Sequence, residues 1–158
     1  MNFKPIIESL IKQNKTISTM ESCTGGAVAS AITNIERASL VLKFSAVTYS
    51  NEFKIKMGVD KNIIDKYTVY SKETAIEMSK NISKFTNSNY GIGITGKLNS
   101  QDEANPTKDN DIVYISIYNK DLDKYFNYNI KVKKQSRELN KRYIIEFIIK
   151  KLEKIINR

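Results

Sequence analysis

The chain has 158 residues, 41% hydrophobic and 27% charged, a globular mixture long enough for one domain with a core and too short for two ordinary ones. It holds no histidine and a single cysteine, Cys23. Zinc and non-haem iron sites therefore lack their usual ligands, a Ser-His-Asp triad is excluded, and no internal disulfide can form. The net charge of +9 rests on 22 Lys against 4 Arg in a chain rich in Ile and Asn, which reads as compositional bias rather than as the Arg–aromatic patch of a nucleic-acid site.

In chain order, residues 3–13 predict a first helix, with Ile6, Ile7, Leu10 and Ile11 at helical spacing. Lys4 and Glu8 interrupt its apolar stretch, so it does not read as a secretory signal. No run approaches the ~18 apolar residues of a membrane span, and the lone cysteine suits a reducing compartment, so the expectation is a cytoplasmic protein. Thr16 to Met20 predicts a short strand leading into Gly25-Gly26, and Ala27, Val28, Ala31, Ile32 and Ile35 trace one face of a second helix. Val41 to Tyr49, rich in β-branched and aromatic residues, predicts a strand. Ser71 is placed to cap a helix over 72–86, on which Ala75, Met78, Ile82 and Phe85 step by three and four. Tyr90 to Thr95 predicts a short buried strand.

Gly96 to Asn110 is polar, contains Pro106 and has no periodicity, and loops of that length in a compact domain are often functional. Strands are predicted over 111–118 and 124–132, the second alternating Phe126, Tyr128, Ile130 and Val132 with polar residues so that one face is wet. A closing helix spans 136–157, with Ile144, Ile148, Leu152 and Ile155 along its stripe. Early alternation of strands and helices, with two adjacent strands late, predicts an α/β domain over 1–158, its mixed central sheet covered by helices on both faces.

Two segments carry candidate chemistry. In Glu21-Ser22-Cys23-Thr24-Gly25-Gly26 a strand passes into a helix, whose first N–H groups favour an anion or a developing oxyanion. Ser22 and Thr24 add hydroxyls, and the glycines admit a ligand close to the backbone. The same residue types also make an ordinary capped helix start. In Thr48-Tyr49-Ser50-Asn51-Glu52-Phe53-Lys54, Lys54 is the available base for a serine in a chain without histidine, because a desolvated amine can take the hydroxyl proton. Its ordinary reading is one solvated lysine among many.

These two segments, with Met57-Gly58-Val59, Ser71-Lys72-Glu73 through Glu77-Met78, and Gly93-Ile94-Thr95-Gly96, resemble the CinA C-terminal domain family, the nicotinamide-nucleotide amidohydrolase group. The match runs in order from about residue 3 to the C-terminus. The resemblance implies a three-layer α/β/α sandwich, a homodimer, and hydrolysis of nicotinamide mononucleotide to nicotinic acid mononucleotide and ammonia; no cofactor or metal is expected. It places Ser22 at the nucleophile position and Lys54 at the base, with Tyr49 nearby. Thr24, Gly25, Gly26, Thr95 and Gly96 fall at substrate-binding positions, as does Arg137, where a guanidinium suits a phosphate or carboxylate.

The departures cluster after Thr95-Gly96. There the family usually continues Ile-Ala-Gly-Pro and a Gly-Gly loop; here Lys97-Leu98-Asn99 leads through Asp102 and Glu103 to Pro106. The family's second arginine, four residues after the first, is Lys141, with Arg142 beside it. Its helix-ending Gly-Ser-Ser is Arg37-Ala38-Ser39. Beside a working hydrolase of a small nucleotide, the sequence therefore admits a non-catalytic nucleotide-binding or protein-interaction module. A third reading, a DNA partner, is drawn from the basic charge and the family's association with competence.

Overall fold

A computed structural model describes residues 1–99, 103–104 and 110–158. Its five strands are β1 (Ile17–Glu21), β2 (Ser45–Val47), β3 (Tyr90–Gly96), β4 (Ile112–Asn119) and β5 (Lys124–Lys131). They form one mixed sheet in the order β2-β1-β3-β4-β5. β2, β1 and β3 run parallel, and β4 and β5 are antiparallel additions. Every residue of β1 and β3 is buried, as expected for parallel strands covered on both faces. β5, at the edge, alternates between exposed and partly buried positions and buries only Ile130.

On one face lie α1 (Lys4–Gln13), α2 (Ala27–Thr33) and α6 (Arg137–Ile156). Leu10, Val28, Ile32, Ile144, Ile148 and Leu152 pack there with Ile17, Ile92, Ile94 and Ile115. On the other face α5 (Lys72–Thr86) sets Met78 and Ile82 against Met20, Val59, Ile64 and Val69. The approach of α5 is unusually close, since a Cβ on Gly91 would run into the Ser79 carbonyl and one on Gly93 into that of Ala75. The result is the expected three-layer α/β/α arrangement. Among the described residues no helix is long and apolar enough to cross a membrane.

The predicted Ser71 cap forms, its Oγ accepting from Thr74 N at 3.1 Å, and Ser136 caps the closing helix in the same way, its Oγ accepting from Leu139 N at 3.2 Å. The predicted strand over 41–49 shrinks to three residues. Ala38–Leu40 winds into a 3₁₀ turn ahead of it, and Ser50 ends the extended run by capping α3 (Asn51–Lys56). A second unanticipated helix, α4 (Lys61–Tyr67), starts at Asp60, whose carboxylate accepts from Asn62 N. Helices of six and seven residues are too short to show an apolar stripe, so periodicity misses them. Lys54, in the segment that follows the predicted strand, thus sits on a helix.

The segment after Gly96 begins with more order than its composition suggests. Lys97 N donates to Ile112 O at 3.2 Å and Asn99 N to Asn110 O at 2.6 Å, carrying the β3–β4 ladder onward, and Leu98 joins the core. Glu103 lies in an exposed turn; Asp102 and Pro106 fall outside the described residues.

Candidate active site

β1 sets Glu21 against Val47 of β2 on one side and Ile94 of β3 on the other. Ser22 follows immediately, its N–H donating to Ile94 O at 3.0 Å. The chain then turns through Gly25 and Gly26, at φ +61° and +92°, a left-handed pair that residues with a Cβ adopt only under strain. The turn brings Ser22 to the C-terminal edge of the parallel strands, and α3 carries Lys54 to the same place. Lys54 is 2% exposed; its Nζ lies 3.0 Å from Ser22 Oγ and 2.8 Å from the Thr48 carbonyl oxygen.

A primary amine held against a serine hydroxyl, both buried, is the arrangement that serine activation without histidine requires. Cys23, the neighbouring thiol, is buried and poorly ionised. Burial pushes its thiol from 9.0 up to about 12, against the pull of Arg137 and Lys54 and with the push of Glu21. It remains a protonated core residue.

The α2 N-terminus is not the open anion site that the sequence predicts. The buried carboxylate of Glu21 fills it, accepting from Val28 N and Ala29 N, both at 2.9 Å. The same carboxylate accepts from the hydroxyls of Thr24, at 2.7 Å, and Thr19, at 3.1 Å. A negative charge at the positive end of a helix is favourable, so the fold itself uses these donors. Gly25 N donates to Ser22 O at 2.9 Å, whereas the N–H groups of Thr24 and Gly26 make no such bond among the described residues. Glu21 was legible only as part of the motif. An acidic residue just ahead of a helix start is the signal that would have given its role.

The remaining candidates divide. Arg137 opens α6, and its guanidinium donates to Tyr49 Oη at 3.4 Å; Tyr49 itself is exposed. Lys141, one turn on, brings its Nζ within 3.5 Å of where a Cβ on Gly25 would stand. Arg137 and Lys141 together set two cations beside the serine turn; only the first was expected there as a site residue, Lys141 being expected only as a departure from the family's arginine. Thr95, expected to meet substrate, is fully buried with its hydroxyl donating to Val69 O at 2.7 Å. At Gly96 a Cβ would come within 2.6 Å of Ile112 O and Val113 Cα, so strand packing accounts for the glycine. Lys97, also buried, spends its charge on Asn110 Oδ1 at 3.2 Å and on the Tyr70 ring.

Comparison with known proteins matches residues 3–156 to the model of the CinA C-terminal domain. A Clostridium botulinum protein named as competence-damage inducible is 42% identical over 114 residues, 72% of this chain and 28% of its own length. A CinA-like protein of Kosmotoga olearia is 41% identical over 114 residues, 72% of this chain and 27% of its own. The chain thus spans little more than a quarter of these curated relatives. Among solved structures, the competence/damage inducible protein CihA from Agrobacterium tumefaciens superposes with a TM-score of 0.87 at 23% identity, covering 98% of this chain and 93% of that one. The competence or damage-inducible protein from Enterobacter asburiae gives 0.88 at 19% identity, over 97% and 94%. At these identities the two structures speak to the fold alone.

Proposed function

Since the chain belongs to the CinA C-terminal domain family, we propose that it hydrolyses the carboxamide of nicotinamide mononucleotide, releasing ammonia and nicotinic acid mononucleotide. The observation that carries this reading is the buried contact of Lys54 Nζ with Ser22 Oγ at 3.0 Å. In the proposed reaction Lys54 acts as a neutral amine whose lone pair accepts the Ser22 proton as Oγ bonds to the amide carbon. The carbonyl pair moves onto oxygen, where the Thr24 and Gly26 N–H groups are the remaining backbone donors. Collapse breaks the C–N bond, and Lys54 returns the proton to the departing nitrogen. Water then attacks the acyl-serine by the same route, giving the acid and restoring Ser22.

Arg137 and Lys141 supply the counter-charge for a phosphate in this reading, and the homodimer that the resemblance implies is proposed with it. A purified enzyme that releases ammonia from nicotinamide mononucleotide, and loses that release in Ser22→Ala with its melting temperature unchanged, is the expected outcome. Protein that binds the nucleotide and yields no ammonia sinks it. The second reading, a non-catalytic nucleotide-binding module, draws on Lys97, which stands at the first departure from the family pattern and occupies buried space there.

A further inference from the structure

We propose that Thr48 is a further active-site residue, its hydroxyl donating to the carbonyl oxygen of the group that Ser22 attacks; this rests on the hydrolase reading above. Thr48 is 1% exposed, and its Oγ1 is the one buried side-chain polar atom among the described residues with no hydrogen-bond partner. Folding leaves a buried hydroxyl unpaired only at a cost, so such a group calls for an explanation. The sheet register supplies its position. Thr19, Met20 and Glu21 pair with Ser45, Ala46 and Val47, and Thr48 N goes on to donate to Glu21 O at 2.8 Å. The next rung therefore sets Ser22 beside Thr48, about 4.8 Å apart across the strands.

Side chains alternate along a strand. Val47 faces the α2 turn, its Cγ2 being 3.3 Å from where a Cβ on Gly26 would stand, so Thr48 takes the opposite face. Ser22, one residue past Glu21, whose carboxylate binds α2, takes that same opposite face. Lys54 Nζ touches both residues, at Ser22 Oγ and at the Thr48 carbonyl. An acyl carbon bonded to Ser22 Oγ consequently presents its oxygen next to the Thr48 hydroxyl. The need for such a donor is acute, because Glu21 takes the Val28 and Ala29 amides and the Ser22 carbonyl takes that of Gly25. As Oγ bonds to carbon and the serine proton passes to Lys54, the charge that builds on oxygen meets the Thr48 O–H together with the Thr24 and Gly26 N–H groups. Thr48 keeps its own proton throughout.

Thr48→Val removes the hydroxyl and keeps the shape; Thr48→Ser keeps the hydroxyl. For ammonia release from nicotinamide mononucleotide, Thr48→Val should lower kcat on the order of 100-fold, leaving KM within about threefold and the pH profile of kcat unmoved. Thr48→Ser should stay within about fivefold of wild type. A Thr48→Val enzyme with wild-type kcat, a Thr48→Ser enzyme as damaged as the valine, or a displaced pH profile overturns the assignment. Thr48→Ala carries the same expectation as the valine if that variant folds poorly.

Sulfonylation of Ser22 by phenylmethylsulfonyl fluoride, read from the mass of the Ser22 peptide, separates this claim from the choice of substrate. The sulfonyl oxygen then stands where the carbonyl oxygen would. Wild-type protein that labels at Ser22 but releases no ammonia ends the substrate reading alone. Labelling about tenfold slower in Thr48→Val and near wild type in Thr48→Ser still supports Thr48, and equal rates overturn it. Wild-type protein that neither labels nor turns over overturns both.

Discussion

β1 and β3 lie side by side and point to the same edge of the sheet, β1 running into a turn that holds Thr24-Gly25-Gly26 and β3 closing on Thr95-Gly96. At the end of β1 the backbone turns through two left-handed glycines, Ser22 meets Lys54, and Arg137 and Lys141 gather alongside. At the end of β3 the Thr95 hydroxyl is spent on Val69, Gly96 is spent on the passage of β4, and the Lys97 amine is spent on Asn110 and Tyr70. Two stretches of nearly the same composition thus do different work. What separates them is the neighbouring element. β1 faces the short β2 edge and the helix that delivers Lys54, whereas β3 is closed in by β4 and α5. A Thr-Gly pair at a strand end is therefore weak evidence of a site until the adjoining chain is known to bring a second reactive group.

The contrast can be broken most decisively by activity. Lys54→Met should reduce ammonia release on the order of 10³-fold, while Thr95→Val, at the other strand end, should leave it within about threefold. A Thr95→Val loss comparable to that of Lys54→Met would return Thr95 to the site. Next in size is the anchor beneath the serine turn. Glu21→Ala leaves the Val28 and Ala29 amides and the Thr24 hydroxyl without their acceptor, while Thr19 keeps Ser45 Oγ, and should cost about 4 kcal/mol, seen as a fall in melting temperature on the order of 10 °C. An unchanged melt would mean that α2 holds its turn without the carboxylate.

Gly96→Ala should cost about 2 kcal/mol through overpacking and leave KM unmoved in the folded fraction. A raised KM with normal stability would show that ligand, rather than β4, needs the glycine.

The smallest effect is expected at Cys23. Native protein should resist iodoacetamide at pH 8 and react once unfolded. Its folded thiol holds a proton to about 12 against an ordinary 9.0, so the contribution of Cys23 to stability is present below about pH 9 and lost as pH rises above it. Urea unfolding that shows no such decline attributable to Cys23, tested against Cys23→Ala, would contradict the burial account.

Much of this layout was legible from residue order. The helical spacing from Ala75 to Ile82, the Ser71 cap and the late pair of strands required only periodicity and turn chemistry. Ser22 and Lys54 were readable as residue types, but their meeting depends on α3, whose six residues carry no apolar stripe. The role of Glu21 was hidden because a carboxylate inside a motif looks like part of the reactive set until its helix amides are seen. Thr48 was invisible for a related reason, since an unpaired hydroxyl is a property of the packed structure. Lys141 was noted only as a departure from arginine, and its proximity to Gly25 follows from the docking of α6 beside α2.

The central claim is that Lys54 serves as the base for Ser22, and chemical rescue tests it most directly. Ammonia release from nicotinamide mononucleotide would be measured in wild type and in Lys54→Ala, with and without added ethylamine. The account predicts near-background release in Lys54→Ala, and partial recovery as the small amine enters the space that the lysine chain vacates. Release at the wild-type rate by Lys54→Ala without added amine would contradict it.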